Sequence, residues 1–457
     1  MDIPTLFSKP GPARNRLILV ALWFVFYVGF TLLTPPLLDD ADSVHAEVAR
    51  EMLLRHDWVT LYANGIRYLE KAPLLYWSMA ASFKLFGPQT GAARLPLAFT
   101  VLALALALEA FARRAFASTR AGLYAALMIL SSFGLFIFTR ITIPDAAVCL
   151  WTTLALYCFW RGDQEEQTRF RWRAGFAVAC ALNVLTKGLI GVVFPVAIAL
   201  LYLLLTRGLK GTWARFRLSH ELAEISLFFL IAAPWHLAAG LANPTQGHPT
   251  PFHFVAGHWQ VPLPTDGNVR GWFWFYFMNE HLLRYLNLRV PHDYDTAPLY
   301  LFWGLCFIWM MPWSAFVFNA VLKPLGKSIR SFTGRDLRVF PQLASFQSPQ
   351  IFLILWAAFV LLFFTLSTRQ EYYVLPALPA LVVLISGWLV RSKDWPPSRE
   401  QGKLNAYRKE IDHCLYVPLA LGTLFALAAT YFLLHTKQPA PNTDLATLLA
   451  QNPGDYA

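Results

Sequence analysis

The sequence predicts an all-α polytopic membrane protein, and three observations carry that prediction. Of 457 residues, 56% are apolar and only 14% charged, whereas soluble chains carry about 25% charged residues. The apolar residues form continuous runs and do not alternate, which argues against a transmembrane β-barrel. The basic residues, 38 Lys and Arg against 27 Asp and Glu for a net charge of +11, lie between those runs. There they orient spans in a bilayer; a nucleic-acid surface would gather them on one face. With 37 Phe and 17 Trp, a disordered chain is excluded as well.

Taken in order, the runs at about 17–34, 95–112, 121–138, 146–160, 174–186, 188–206, 222–240, 298–315, 350–366, 373–391 and 415–434 are candidate spans, each approaching the roughly 20 residues that cross a bilayer. The first follows Lys9, Arg14 and Arg16 and has no small-residue cleavage site, so it reads as a retained span. Those at 146–160 and 174–186 are short. A further run, 73–86, starts at Pro73, contains Lys84 and is only about 14 residues long, which suits an interfacial helix.

Charge decides its placement. With 73–86 on the membrane surface and the N-terminus cytoplasmic, Arg113, Arg114, Arg161, Arg207, Lys323 and Lys393, with their basic neighbours, all fall inside. Were 73–86 to span, every later loop would invert. The outer face then carries large loops at 35–94 and 241–297, with short connections at 140–145, near 187 and at 368–373. The aromatic string Gly271 to Phe277 suits a second interfacial helix, in the fourth outer loop. The expected organisation is one transmembrane domain, 1–434, and an outer-side tail, 435–457, that stops abruptly, as a truncated chain would.

Cys149, Cys158, Cys180, Cys306 and Cys414 lie in or beside apolar runs, and none forms a C-x-x-C pair. They read as small buried side chains.

The polar residues of the outer face carry the chemistry. Asp39, Asp40 and Asp42 follow the first span, and Ser43 is placed to cap the next helix. Crowded carboxylates repel, which raises a pKa and makes a candidate general base; the bland reading is an acidic helix start. Glu70 and Lys71 stand before Pro73, where a Lys binds a lipid phosphate or serves as a snorkelling anchor. Asp145 begins an apolar span, a costly position that marks function, unless it pairs with Arg140. Lys187 pairs with Asp145 or binds phosphate, and the residues leave both open. His248, His253 and His258 are spaced by five, which spreads them around a helix and gives no metal face. Glu280, His281 and Arg284 form a charged group beside the aromatic string. Arg369, Glu371 and Tyr372 share the same outer face. Acids and cations from distant segments thus meet at one membrane surface, as chemistry on a lipid-linked phosphate requires. A transporter would place polar residues near the bilayer midplane.

The strings A-E-V-A-R-E-M (46–52), D-W-V-T-L-Y-A-N-G (57–65), Y-L-E-K-A-P-L-L-Y-W (68–77), R-L-P (94–96), I-P-D (143–145), L-T-K-G (185–188), N-E-H-L-L-R-Y (279–285) and Y-Y-V-L-P (372–376) together resemble the bacterial lipid A aminoarabinose transferases, a branch near the protein O-mannosyltransferases. These are integral membrane glycosyltransferases of the GT-C fold. The resemblance covers roughly residues 17–391 and implies that fold, beside which the apolar runs give about eleven transmembrane helices and interfacial helices in the first and fourth outer loops. It implies a sugar donor carried on a polyprenyl phosphate such as undecaprenyl phosphate. It also implies that Lys71 contacts the donor phosphate and that Asp145 is the acid of the second outer loop. The family's first-loop motif is usually Asp-Glu followed by Tyr-Ala-Glu. Here Ala41-Asp42 stands at that place with His45 for the Tyr, so Asp40 or Asp42 must stand in as base.

The mechanism expected is a single inverting displacement. Lys71, with Arg284 or Arg369, stabilises the leaving phosphate, and Asp40, Asp42 or Asp145 handles the acceptor. Glu70, Arg140, Lys187, Glu280, His281 and Tyr372 support them. No cofactor is expected and a divalent metal is not required. The acceptor is a glycolipid such as lipid A, or a protein or polymer, on the outer face of the bacterial inner membrane; no nucleic acid takes part. The competing readings are a flippase for lipid-linked sugars and a catalytically silent, lipid-binding relative.

Overall fold

In a computed structural model, residues 12–29, 31, 37, 40–215, 218–246, 253–256, 258–260, 267–290, 296–322, 348–391 and 401–435 are described. Helix α1 (Pro12–Trp23) runs on as a π-turn, Phe24–Val28. Helix α2 (Asp40–Arg55) begins three residues ahead of Ser43. Ser43 therefore lies within the helix and does not cap it, and the acidic residues occupy the first turn, where the helix dipole favours them. A small hairpin, β1 (Tyr62–Ala63) and β2 (Ile66–Arg67), turns at Asn64 and Gly65, with φ of 53° and 79°. Asn-Gly is the pair that such a turn selects.

Helix α3 (Leu74–Phe86) is the doubtful run of the sequence. It has 13 residues, too few to cross a bilayer, and buries Leu75, Met79 and Phe83 beside α2 and the following helix. Then come α4 (Thr90–Ala115), α5 (Thr119–Leu130), α6 (Phe133–Arg140), α7 (Asp145–Gln164), α8 (Arg169–Lys187), α9 (Ile190–Trp213) and α10 (Leu218–Ala242). A hairpin, β3 (His253–Val255) and β4 (His258–Gln260), precedes α11 (Gly267–Phe273), which continues as a π-helix, Trp274–Leu283. Helices α12 (Leu299–Trp309), α13 (Ser314–Val317, extended by a π-turn to Leu322), α14 (Ser348–Thr365), α15 (Leu378–Arg391) and α16 (Gln401–Leu434) complete the described chain. His253 and His258 fall on the hairpin strands and not on a helix; His248, Asp39, the 323–338 loop and the tail from 436 lie outside the described residues.

Among the described residues, four helices are long and apolar enough to cross a membrane, or up to six if the bent pairs α5–α6 (48°) and α12–α13 (106°) each count as one span. This is a multi-pass membrane protein. Its outward faces are apolar, as at Phe24 and Val25 of α1, Phe229 and Leu230 of α10, and Leu419 and Leu427 of α16. Lipid solvates these faces, so apolar burial does not by itself drive helix pairing; close backbone approach does. The α4–α5 contact shows it: Ala105, Ala112, Ala121, Ala125 and Ala126 are fully buried. A Cβ on Gly122 would lie 2.6 Å from the Glu109 carbonyl oxygen. Around that seam, Phe111, Phe194, Phe352 and Trp356 fill the core.

Polar groups gather at the two ends of the bundle. At one end Asp163 pairs with Arg207 (2.7 Å) and Arg215 (3.0 Å), Arg173 with Glu221 and Glu224, and Glu109 with Arg16 and Arg113. Asp145 begins α7 and Asp163 stands near its end, roughly 27 Å apart at helical rise. The outer-loop candidates cluster around Asp145, a hydrocarbon thickness away from the Asp163 network.

Candidate active site

Proline places the first acid. Pro144 ends the short link after α6, and Asp145 is the first residue of α7, where free backbone N–H groups and the helix dipole favour a carboxylate. Asp145 is 2% exposed, so its charge needs a partner. That partner is Lys187, whose Nζ lies 2.6 Å from both carboxylate oxygens. Lys187 ends α8, and the rings of Tyr372 and Tyr373 each stand 4.9 Å from its ammonium, a cation–π cage. Of the two readings of Lys187, the structure shows the pair with Asp145. Arg140 instead donates to the Phe136 carbonyl at 2.7 Å and stacks on that ring.

A second chain of charges lies beside this pair. Lys71 Nζ is 3.2 Å from Glu70, Glu70 is 3.2 Å from Arg289, and Arg289 is 2.5 Å from Glu280, which also takes Arg284 at 2.9 Å. Lys71 and Arg284 are close enough to Asp145 to act on its charge. Burial favours the neutral amine of Lys71, yet the oxygens of Tyr68 and Glu70 outweigh it and hold the group above its usual range, as a cation. Burial would likewise raise Glu70, but Lys71 and Arg289 hold it below the usual carboxylate range. Four cations, Lys71, Lys187, Arg284 and Arg289, thus face three carboxylates, Glu70, Asp145 and Glu280. Counted over these seven side chains, cations exceed carboxylates by one.

Two histidines brace the cluster. His281 Nδ1 donates to the Tyr276 carbonyl (2.6 Å), and its Nε2 accepts the Leu189 N–H (3.0 Å). It ties the π-helix bearing Glu280, which Arg284 directly follows, to the turn that follows Lys187. Burial lowers its pKa to about 4, so it is neutral. His45 is 5% exposed, and burial brings it down to about 4 as well.

Not every expected residue joins. Asp42 is buried against Arg94 (3.2 Å) and the Thr142 hydroxyl (3.0 Å). Asp40 starts α2, and its side chain lies outside the described residues. Arg369 donates to the carbonyls of Ala297, Thr365 and Ser367 at 2.9, 3.0 and 3.2 Å. It closes the C-terminal end of α14 and pairs with no carboxylate among the described residues. Tyr372 bonds Gln370. Sequence reasoning did not single out Arg289, Tyr373, Tyr68 or Tyr276. Arg289 follows L-N-L with no motif of its own, and only its contacts with Glu70 and Glu280 mark it. Among the described residues no group of His, Cys, Asp and Glu is arranged to hold a metal ion.

An apolar groove of about 750 Å³ runs between α8, α9 and α10. Leu189, His236 and Phe277 line it near the cluster; Arg173, Arg215 and Glu221 line it at the opposite end of the bundle. The groove therefore runs most of the bundle's length and reaches Leu189, two residues beyond Lys187. A cation-rich polar cluster thus lies near one end of a long groove whose middle is apolar.

That architecture is the fold of the GT-C membrane glycosyltransferases. ArnT from Cupriavidus metallidurans, in a crystal structure bound to undecaprenyl phosphate, superimposes with a TM-score of 0.66 at 21% identity, covering 96% of this chain and 68% of that one. The Archaeoglobus fulgidus oligosaccharyltransferase gives a TM-score of 0.51 at 15% identity, covering 93% and 55%. Residues 39–244 match the family described as dolichyl-phosphate-mannose-protein mannosyltransferase. The chain is similar to the undecaprenyl phosphate-α-4-amino-4-deoxy-L-arabinose arabinosyl transferases. It is 29% identical over 358 residues to one from Pseudomonas fluorescens, covering 76% of this chain and 52% of that protein. With the Aeromonas salmonicida protein it shares 27% over 391 residues, covering 85% and 61%. The chain therefore spans little more than half the length of these relatives.

Proposed function

We propose that this chain is a membrane glycosyltransferase that moves a sugar from a polyprenyl-phosphate donor to a glycolipid acceptor, such as lipid A, on the outer face of the bacterial inner membrane. The observation that carries the reading is a cation-rich polar cluster with one end of a long apolar groove nearby, at Leu189 and Phe277. A polyprenyl phosphate has that same form, an anionic head on a long hydrocarbon tail. The relatives' names, which specify an undecaprenyl-phosphate-linked sugar, support it. In this reading the transmembrane domain is 1–434, the N-terminus is cytoplasmic, and the cluster faces outward.

The roles follow from the charges. Lys71 and Arg284 hold the donor phosphate, and their charge stabilises the dianion that develops as the anomeric C–O bond breaks. Glu70 and Glu280 keep the long cationic side chains in place, so little reorganisation accompanies reaction. Asp145, oriented by Lys187, accepts hydrogen bonds from sugar or acceptor hydroxyls. Single displacement inverts the anomeric carbon. A flippase would need a polar path through the membrane. The cavity at the two bent helix pairs, about 690 Å³, is lined by Leu, Phe, Tyr, Trp, Met, Pro, Gly and one Ser, which is not such a path.

The test is thermal stabilisation of the detergent-solubilised protein by undecaprenyl phosphate. Wild type is stabilised, Lys71→Ala is not, and Asp145→Asn still is while transfer is lost. Absence of stabilisation in wild type would sink the donor assignment.

A further inference from the structure

Three cations and two carboxylates of the cluster form one alternating row, Lys71–Glu70–Arg289–Glu280–Arg284. Each carboxylate divides its oxygens between two cations. Glu70 Oε2 accepts from Lys71 Nζ and its Oε1 from a terminal nitrogen of Arg289, both at 3.2 Å. Glu280 Oε1 accepts from Arg289 Nε at 2.5 Å, and its Oε2 from Arg284 at 2.9 Å. The planar guanidinium of Arg289 thus donates from two of its nitrogens to carboxylates 210 positions apart in the chain, a spread that a compact ammonium lacks. Exposure separates the members of the row. The Arg289 side chain is 6% exposed, against 26% for Lys71 and 16% for Arg284. An incoming anion therefore meets the two ends of the row and not its middle.

We propose that Arg289 is a positioning residue that keeps Lys71 and Arg284 available to the donor phosphate by occupying one oxygen of each of their carboxylates. The inference rests on the transferase reading and on no choice of acceptor. Charge supplies the reason. Counted over these five side chains, three cations face two carboxylates. Without Arg289 the count is two against two. Glu70 and Glu280 could then each turn both oxygens on the cation beside it, and a phosphate would have to displace a complete ion pair in order to bind. With Arg289 in the row, each end cation shares its carboxylate with a buried competitor, so less of its charge is neutralised before the donor arrives. Arginine suits the buried place because its guanidinium stays charged there, whereas a buried lysine can give up its proton. The row also joins two segments. Glu70 lies ahead of α3, and Glu280 and Arg289 lie on and just after the π-helix, so Arg289 holds the two phosphate-binding cations at a set separation.

The experiment measures binding of two probes to the full chain in lipid nanodiscs: undecaprenyl phosphate, and undecaprenol, which has the same tail and no charge. Arg289→Gln should weaken undecaprenyl phosphate by about ten- to a hundredfold, the scale of a lost charge-assisted contact. It should leave undecaprenol within about threefold of wild type. Adding Glu280→Gln restores the excess of one cation, Lys71 and Arg284 against Glu70, and should return the phosphate affinity to within about threefold of wild type. A purely structural role predicts the reverse, because the double variant lacks two charged members of the row. Should Arg289→Gln not fold, the double variant decides by itself: near-wild-type affinity for undecaprenyl phosphate supports the role, and loss of it overturns the role. Unchanged affinity in Arg289→Gln, an equal loss for undecaprenol, or a double variant no better than the single one overturns the role of Arg289 and leaves the transferase reading intact. Wild type that does not prefer undecaprenyl phosphate to undecaprenol removes that reading, and this inference with it.

Discussion

Gly188 is the position where backbone geometry and the proposed site are most tightly joined. It follows Lys187 with φ 80° and ψ −151°, a region essentially reserved for glycine. A Cβ there would sit 2.0 Å from His281 Nε2 and 3.1 Å from the Tyr276 hydroxyl. Gly188→Ala therefore carries two penalties. Holding alanine in that backbone region costs about 1–3 kcal/mol. The His281 ring must also retreat by roughly 1.5 Å to reach van der Waals distance. Retreat breaks the Leu189–His281 hydrogen bond, worth about 1 kcal/mol. Together the loss is on the order of 3 kcal/mol. Thermal denaturation in detergent should show a midpoint several degrees lower, and transfer should fall because Lys187 no longer meets Asp145 squarely. Adding His281→Ala removes the clash and leaves the strain, so the double variant should be less impaired than the sum of the single ones, with a coupling of about 1 kcal/mol. If Gly188→Ala unfolds within about 0.5 kcal/mol of wild type, or the two changes simply add, the strut between the Lys187 turn and the π-helix does not exist as described.

Glu280→Gln leaves Arg289 and Arg284 without their shared carboxylate, 2% exposed, and should cost about 3–5 kcal/mol, as for other broken buried pairs; combining it with Arg289→Met should recover part, measured by the same denaturation. Asp42→Asn should destabilise through Arg94, whose side chain is 4% exposed, while donor binding persists in the undecaprenyl phosphate thermal shift. The buried histidines give a pH dependence. Burial lowers His45 to about 4 from an ordinary 6.5, so the unfolded chain binds the proton more readily. Its stabilising contribution is complete above about pH 6.5 and is lost as pH falls toward 4, by about 3 kcal/mol at most. His281, lowered likewise by burial, acts in the same direction. Midpoints recorded from pH 7.5 to 5 should fall, and less steeply in His45→Gln; a flat profile in wild type would show that the rings are not buried as neutral groups.

Much of this was legible in one dimension. Continuous apolar runs can be stable only as helices in lipid, because every backbone group there must be satisfied internally; that physical demand makes the membrane class readable from hydropathy alone, although the runs 121–138 and 298–315 are each broken by a bend. The brevity of 73–86 was readable for the same reason, and it is the 13-residue α3. Asn64-Gly65 specified its hairpin through glycine's freedom at positive φ. The residues Glu70, Lys71, Asp145, Lys187, Glu280 and Arg284 stood out because ionisable groups at the ends of apolar runs are costly. Their pairing was not legible. Whether Asp145 meets Arg140 or Lys187, whether Asp42 is a base or the partner of Arg94, and whether Arg369 faces a phosphate or three carbonyls all depend on how α4, α7, α8 and α14 come together in space. The start of α2 was misplaced at Ser43 because local capping chemistry competes with the dipole's preference for the acids before it. Arg289 carries no local signal, and its role appears only where Glu70 and Glu280, 210 positions apart in the chain, converge on it. An amino-acid string states which groups are expensive to bury; only the tertiary structure decides which of them compensate one another.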